Sequence, residues 1–390
     1  MTRTYKSTKI ACFAGFVVQA IINNFLPLLF IIFNTRYHLN YEQLGRLLFI
    51  NFFVQLIVDA LTPMVVKRIG YRGAAIACHG LAAGGLCLLG ILPMLFPNHL
   101  YTCVVISIII YAAGSGIIEV CISPIVEMLP GDKKGADMAF SHSFYCWGQA
   151  FTVLISTLLI YILGQDMWQL IPIIWAAIPL INMFNFMRVP IVEQPDDPVS
   201  KTAKTLFKNR DFWIFAIIMI CAGASEITMA EWASIFTQQA LGVSKTTGDL
   251  LGPCAFAVCM GSGRVIFGLL DGKFNPKKAL IINNIFCVIC YVGVAVCSIE
   301  WLSLVACALC GFTVSLSWPG TYSMAARHFP TGGTLMFSVL ALCGDLGCSI
   351  GPWTMGIVAN NTTLETGFLV CAIFPAVMVI AAPFLRKEKC

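Results

Sequence analysis

Twelve apolar segments, each about 20 residues or longer, are the feature that most restricts how this chain can fold. A helix of about 20 residues spans the hydrocarbon core of a bilayer, because it rises about 1.5 Å per residue. The strands of a membrane β-barrel are shorter, about 10 residues with alternating polarity. The sequence therefore predicts an all-α polytopic membrane protein with twelve transmembrane helices, at 10–33, 44–66, 73–95, 102–127, 138–163, 167–189, 211–238, 247–270, 278–297, 301–325, 333–359 and 364–385.

The composition agrees with a chain that lies mostly in lipid. Of the 390 residues, 58% are hydrophobic and only 11% are charged. A soluble domain carries about 25% charged residues, so this chain lacks the polar side chains for a water-facing shell. The first apolar segment follows a short basic tail and is too long and too often interrupted by polar residues for a signal peptide. We expect it to stay in the mature protein.

The basic residues are distributed unevenly over the predicted connections. Of the 24 Lys and Arg residues, 20 lie in the tails and connections of one side, and three, Arg36, Arg46 and Lys245, lie on the other. Cytoplasmic connections carry the excess of Lys and Arg in membrane proteins. The sequence therefore predicts a protein of the cytoplasmic (inner) membrane with both termini in the cytoplasm.

The longest polar connection divides the chain near its midpoint. Residues 190–210 contain three prolines and a mixture of acids and lysines, which is typical of a linker. We predict a six-helix bundle at 1–189, a cytoplasmic linker at 190–210 and a second six-helix bundle at 211–390. The halves also repeat a feature, since Ser123-Pro124 interrupts the fourth segment and Trp318-Pro319 the tenth. Paired halves with interrupted helices are typical of transporters.

Two basic connections carry a resemblance to a known family. VKRIGYR (66–72) follows the second segment, and GRVIFGLLDGKFNPKK (263–278) spans the end of the eighth and the connection after it. With the twelve segments and the central linker, the chain resembles the major facilitator superfamily of transporters, whose signature in these connections is a Gly, an Asp-Arg pair, a Gly and a basic residue. The resemblance implies a charge network that biases the conformational switch, and it assigns gating roles to Arg68, Arg264 and Asp271.

The fourth segment is most similar to the fucose permease branch of that superfamily. The stretch GSGIIEVCISP (114–124) places Glu119 among small residues and before a proline, as in that branch. The branch also has an Asn-Asp pair in its first helix, where this chain has Asn23-Asn24, and an Asn in its fifth helix, where this chain has Tyr145. The resemblance implies proton-coupled sugar transport, but the missing Asp leaves the coupling ion and the sugar open.

The candidate substrate contacts are polar or aromatic residues on segments that the resemblance places around a central cavity. Hydroxyl-rich solutes need convergent donors and acceptors and an aromatic surface for the ring. Spacing places Gln19 with Asn23 on one helix face, and His142, Tyr145 and Gln149 on another. Packing between helices is the competing interpretation for such residues. The full set of predicted substrate contacts is Gln19, Asn23, Asn24, Glu119, His142, Tyr145, Gln149, Glu226, Trp232, Trp318 and Tyr322.

Acids in the apolar segments are candidates for proton coupling, because a carboxylate at bilayer depth costs about 2.5–3.5 kcal/mol or more. We predict Glu119, Glu226 and Asp345 in this role. Glu226 is favoured over Glu231, which lies about 140° around the helix and nearer its outer end, where it could be interfacial. Asp59 continues a polar stripe with Asn51 and Gln55 in the second segment, and we interpret it as a gating residue.

Three functions are compatible with these features to different degrees. The first is a secondary transporter that binds a small-molecule substrate, a sugar being one candidate, with H⁺ coupled through Glu119; a facilitator or Na⁺ coupling remains open. The second is an exporter of amphipathic compounds, since 28 Phe and 15 Met could line an adaptable cavity. The third, a membrane enzyme or receptor, is disfavoured because the five histidines lie on separate segments, no phosphate-binding GxxxxGK[ST] occurs and the sequence shows no soluble sensing domain. We expect a monomer in the lipid bilayer with no cofactor, metal or nucleic acid.

Overall fold

The structure is a computed structural model that describes residues 4–130, 134–192, 206–269, 275–297, 299–329 and 333–386, and within these ranges it contains helices and no strand. The helices are α1 (Tyr5–Phe25), α2 (Phe30–Tyr37), α3 (Tyr41–Leu95), α4 (Leu100–Met128), α5 (Lys134–Leu163), α6 (Leu170–Trp175), α7 (Ala177–Phe186), α8 (Arg210–Gln239), α9 (Lys245–Asp249), α10 (Ala255–Leu269), α11 (Pro276–Val296), α12 (Glu300–Val314), α13 (Ser317–His328), α14 (Gly333–Asn361), α15 (Leu364–Cys371) and α16 (Ile373–Ala381). The predicted all-α class is confirmed.

Ten stretches among the described residues are long and apolar enough to cross a membrane, and Leu170–Phe186 is a shorter apolar one. Helix α3 has 55 residues, about 80 Å at 1.5 Å per residue, which is far more than one bilayer core. It breaks at Gly70, where φ is 70° and ψ is 168°, a conformation that glycine tolerates without a Cβ clash. Counting α3 as two crossings and adding Leu170–Phe186 gives the twelve predicted segments.

The chain forms two compact units, one of Met1–Leu39 with Ile50–Pro195 and one of Asn40–Phe49 with Asp196–Cys390. Most of the predicted linker lies outside the described residues, and the boundaries of the two predicted bundles stay a prediction. In the first unit, α1 packs against α4, α5 and α7, so the polar face of α1 meets the polar faces of its neighbours.

In the second unit, α8 is the buried centre and packs along α14, with further contacts to α13 and α16. The close approach needs glycine, because a Cβ on Gly347 would lie 1.9 Å from the carbonyl oxygen of Ile220. Two CxxC pairs, Cys287/Cys290 and Cys307/Cys310, lie on α11 and α12, where Cys287 Sγ is 3.8 Å from Cys310 Sγ and both of these residues are fully buried. Such positions are typical of cysteines that pack as small hydrophobic side chains.

Candidate functional site

Glu119 lies on α4 and is the centre of a polar cluster in the first unit. Its Oε2 accepts hydrogen bonds from Gln19 Nε2 of α1 at 2.8 Å and from Gln55 Nε2 of α3 at 2.7 Å. Glu119 itself is partly exposed, whereas both glutamines are buried. Hydrogen bonds to an ionised acceptor are stronger than neutral ones, so two uncharged amides can stabilise this carboxylate without a counter-charge.

The cluster continues through the second and first helices. Ser115 Oγ, one turn before Glu119, donates to Gln55 Oε1 at 2.8 Å and lies 3.4 Å from Asn23 Oδ1. Asn51 Nδ2 donates to the same Asn23 oxygen at 3.3 Å. The sequence pattern places Asn51 and Gln55 in one polar stripe with Asp59, and the structure connects both of them to the Glu119 neighbourhood. Three helices thus contribute to one network.

Helix α5 completes the cluster on another side. Tyr145 Oη lies 3.5 Å from the side-chain nitrogens of both Asn23 and Asn24, and Asn24 Nδ2 also donates to the Ala20 carbonyl at 2.9 Å. We call this set the Glu119 cluster; its members are Gln19, Asn23, Asn24, Asn51, Gln55, Ser115, Glu119 and Tyr145. Its donors and acceptors are amides, hydroxyls and one carboxylate, which is the chemistry that an uncharged hydroxyl-rich ligand would match.

The other α5 candidates lie at different depths. The exposed ring of His142 places Nε2 3.3 Å from Ser123 Oγ and packs 4.8 Å from the Phe16 ring, measured between ring centroids. Gln149 is buried on the same helix. His142 therefore contacts α4 one turn beyond Glu119, on the side of the Pro124 interruption.

A close crossing of α3 and α4 brings the acid and its donor together. A Cβ on Gly116 would lie 2.7 Å from Asp59 Oδ1 and 2.9 Å from the Gln55 carbonyl oxygen. Glycine at this position lets α4 approach α3 closely enough for the Gln55–Glu119 hydrogen bond. Asp59 is therefore a buried neighbour of the cluster, while Arg68 lies further along α3 and Asp271 lies outside the described residues.

In the second unit, Glu226 of α8 forms an ion pair with Arg264 of α10. Arg264 Nη2 is 2.9 Å from Glu226 Oε1 and 3.1 Å from Oε2. The exposed fractions of the side chains are 21% for Arg264 and 6% for Glu226, so water screens the pair only in part. The sequence had suggested separate roles for them, Glu226 in binding and Arg264 in gating, and it contains no local signal for a pair 38 positions apart.

Glu231 is an acid that sequence reasoning left out of the candidate set. It is 1% exposed, so its side chain lies inside the protein. Within the described part of the chain, neither of its carboxylate oxygens has a hydrogen-bond partner. A buried carboxylate without donors is costly when ionised. The available signal was its presence within an apolar span, which by itself marks an intramembrane acid as a candidate.

The aromatic candidates and Asp345 also belong to the second unit. Trp232 is fully buried and donates from Nε1 to the Pro352 carbonyl at 3.1 Å, which is a packing contact between α8 and α14. The rings of Trp318 and Tyr322 lie 6.1 Å apart in an edge-on arrangement on α13. Asp345 is buried on α14.

The family model of the Major Facilitator Superfamily matches residues 11–352 of the chain. The chain belongs to the major facilitator superfamily. The superfamily that the sequence motifs suggested is thereby confirmed, and the known members to which the chain is similar are transporters rather than enzymes.

Individual relatives are distant. The chain is 24% identical over 279 residues to the staphylopine export protein of Staphylococcus aureus, a match that covers 67% of this chain and 68% of that protein. Its match to an uncharacterized transporter of Sinorhizobium fredii, at 19% identity, spans 47% of that protein.

Solved structures show the same fold. The crystal structure of the Escherichia coli fucose:proton symporter aligns with a TM-score of 0.69 and 18% identity, covering 99% of this chain and 100% of that one. A D-xylose-proton symporter aligns with a TM-score of 0.80 and 16% identity, covering 98% of each chain. At these identities the likeness shows the fold alone.

Proposed function

We propose that this protein is a secondary active transporter that moves a small polar organic solute across the cytoplasmic membrane by alternating access, coupled to protons through Glu119. The single observation that carries the proposal is the Glu119 cluster, in which a partly exposed carboxylate is held by Gln19 and Gln55 from two different helices. The proposal includes cytoplasmic termini, which the distribution of Lys and Arg supports, and a monomeric transporter.

Protonation of Glu119 would change the contacts between these helices. Both amides donate to the same oxygen, Oε2. A proton on either carboxyl oxygen removes the charge of the group, so the hydrogen bonds that Oε2 accepts from both amides become weaker. Proton binding therefore loosens the packing of α1 and α3 against α4. The transported solute can favour one of these two states, with Glu119 protonated or ionised, only if its contacts differ between them.

The substrate would be recognised mainly by uncharged groups. Asn23, Asn24 and Tyr145 offer amide and phenol groups beside the acid, and these match hydroxyls better than they match a formal charge. A sugar or sugar derivative is the candidate class, in agreement with the names of the fucose and xylose symporters that share the fold. The symporter and sugar roles are part of the proposal.

Transport assays in liposomes test the coupling. Protein reconstituted with labelled fucose and labelled D-xylose should accumulate one of them when a pH gradient is applied. Glu119→Gln should keep counterflow of the label and lose pH-driven accumulation, because the amide still accepts from Gln19 and Gln55 but binds no proton. Glu42→Gln is the matched control, since Glu42 is an acid at the start of α3 that pairs with Arg46. Accumulation that survives Glu119→Gln would refute coupling through this residue.

Export is the second candidate function, and the staphylopine export protein among the relatives favours it. An exporter of amphipathic compounds would leave fucose and xylose untransported but would lower the sensitivity of expressing cells to amphipathic drugs. An uncoupled facilitator would equilibrate the labelled solute without accumulation in the unmodified protein. The same two assays separate these alternatives.

A further inference from the structure

A groove with apolar walls runs along the surface of the second unit between α8 and α16. Its volume is about 300 Å³. The groove is lined on one side by Arg210, Ile214 and Ile217 of α8, and on the other by Val377 and Ile380 of α16 and by Phe384 of the 3₁₀ turn that follows. Spacings of three, four and seven residues place each set on a single helix face.

The groove walls face outward and are hydrophobic. Ile217 is 45% exposed, Ile380 63% and Phe384 59%. In a membrane-spanning helix such a surface is covered by lipid chains rather than by water. The stretch of α8 from Arg210 to Ile217 is about 10 Å long at 1.5 Å per residue, so the groove can hold part of one acyl chain.

One end of the groove carries a cation. The Arg210 guanidinium carbon lies 6.0 Å from the centre of the Phe384 ring, over its face. Arg210 is exposed, and it has no acidic partner within the described part of the chain. Its stem therefore covers the apolar wall while its charge stays at the end of the groove, where a membrane-embedded groove would meet the headgroup layer.

Two further cations lie around the same end. Lys277 Nζ donates to the carbonyls of Pro383 at 2.9 Å and Leu385 at 2.7 Å, which flank Phe384. The Arg386 side chain is 76% exposed, and its Nε lies 4.0 Å from Asp211 Oδ2. The nearby acid, Asp211, is only 3% exposed and lies 2.8 Å from His328 Nε2, so it offers little negative charge to the surface.

We propose that this groove binds an anionic phospholipid, with one acyl chain along α8 and α16 and the phosphate on Arg210. The apolar wall alone would accept the chain of any lipid. The cationic end selects the headgroup, because a zwitterionic lipid would bring its own positive charge next to Arg210, whereas Lys277 is held by two backbone carbonyls and Arg386 faces Asp211. The site lies in one unit and is independent of the proposed proton coupling.

Native mass spectrometry of the full-length protein in detergent tests the site. Phosphatidylglycerol and phosphatidylcholine with identical acyl chains are titrated in parallel. We expect the protein to bind its first molecule of phosphatidylglycerol about fivefold more tightly than its first molecule of phosphatidylcholine. One basic side chain near an anionic headgroup contributes about that factor. Arg210→Gln should abolish the preference, and Arg46→Gln, which removes an equal charge from an exposed site away from the groove, should keep it.

Two further measurements test the acyl chain and the headgroup separately. Val377→Trp fills the groove and should reduce retention of both lipids, whereas unchanged retention would overturn the placement of the chain. Excess inorganic phosphate should not displace phosphatidylglycerol, and displacement would overturn the proposal by showing an anion site without a lipid. Equal retention of the two lipids by the unmodified protein, or a preference that survives Arg210→Gln, would also overturn it.

Discussion

Replacing Arg264 by alanine should destabilise the second unit strongly, because it leaves Glu226 buried without its counter-charge. The substitution removes contacts of 2.9 and 3.1 Å to a carboxylate that is 6% exposed. Breaking a buried ion pair from one side costs about 3–5 kcal/mol. Arg264 is 21% exposed, so some water can reach the pair, and we expect the lower part of that range.

The double variant Arg264→Ala, Glu226→Gln should recover part of this loss. An amide in place of the carboxylate carries no charge, and a neutral polar group without a partner costs about 1–3 kcal/mol. The double variant is therefore expected to be more stable than Arg264→Ala alone, although one more side chain has been changed. A double variant that is more stable than one of its single variants indicates that the two residues are coupled.

Unfolding by SDS in mixed micelles, followed by tryptophan fluorescence, measures the free energies of the unmodified protein, both single variants and the double variant. Arg264→Gln provides a second single variant if Arg264→Ala does not fold. If the loss of unfolding free energy in the double variant equals the sum of the losses in the two single variants, the two residues are not coupled and the ion pair is refuted.

Three other changes test the packing of the two units. Gly116→Val should lower stability and transport, because its Cβ would lie 2.7 Å from Asp59 Oδ1. Gly84→Val is the control and should be tolerated, since a Cβ there meets nothing within 4 Å. Thermal unfolding and the uptake assay check both variants. Glu231→Gln should keep or raise the free energy of unfolding, because an amide has no charge to bury, and a large loss in SDS unfolding would contradict the partnerless environment of this acid. Trp232→Phe should cost about 1 kcal/mol by removing the hydrogen bond to a carbonyl and should leave solute affinity unchanged, which a binding titration beside the unfolding curve would show.

The fold followed from the sequence because bilayer thickness restricts the length of every helix. The break of α3 coincides with the basic connection VKRIGYR, where Gly70 supplies the positive φ. The partner of each polar residue was harder to predict. Periodicity shows which residues share a helix face, as with Gln19 and Asn23, but it does not give the rotation and depth of one helix relative to the next. Gln55 joined the cluster through the close crossing at Gly116, a tertiary contact that the sequence pattern does not encode.

The environments of three intramembrane acids decide which of them suits proton coupling. Glu226 forms an ion pair with Arg264, so a proton on Glu226 would leave the Arg264 guanidinium without its counter-charge. Glu231 is 1% exposed, and neither of its carboxylate oxygens has a hydrogen-bond partner among the described residues. Glu119 is partly exposed, its Oε2 accepts hydrogen bonds from two neutral amides, and a carboxylate oxygen of Asp59 lies within 4.8 Å of one of its own. These environments support the proposal that Glu119 exchanges the proton, and the hydrogen bonds that would then rearrange are the ones that tie α4 to α1 and α3.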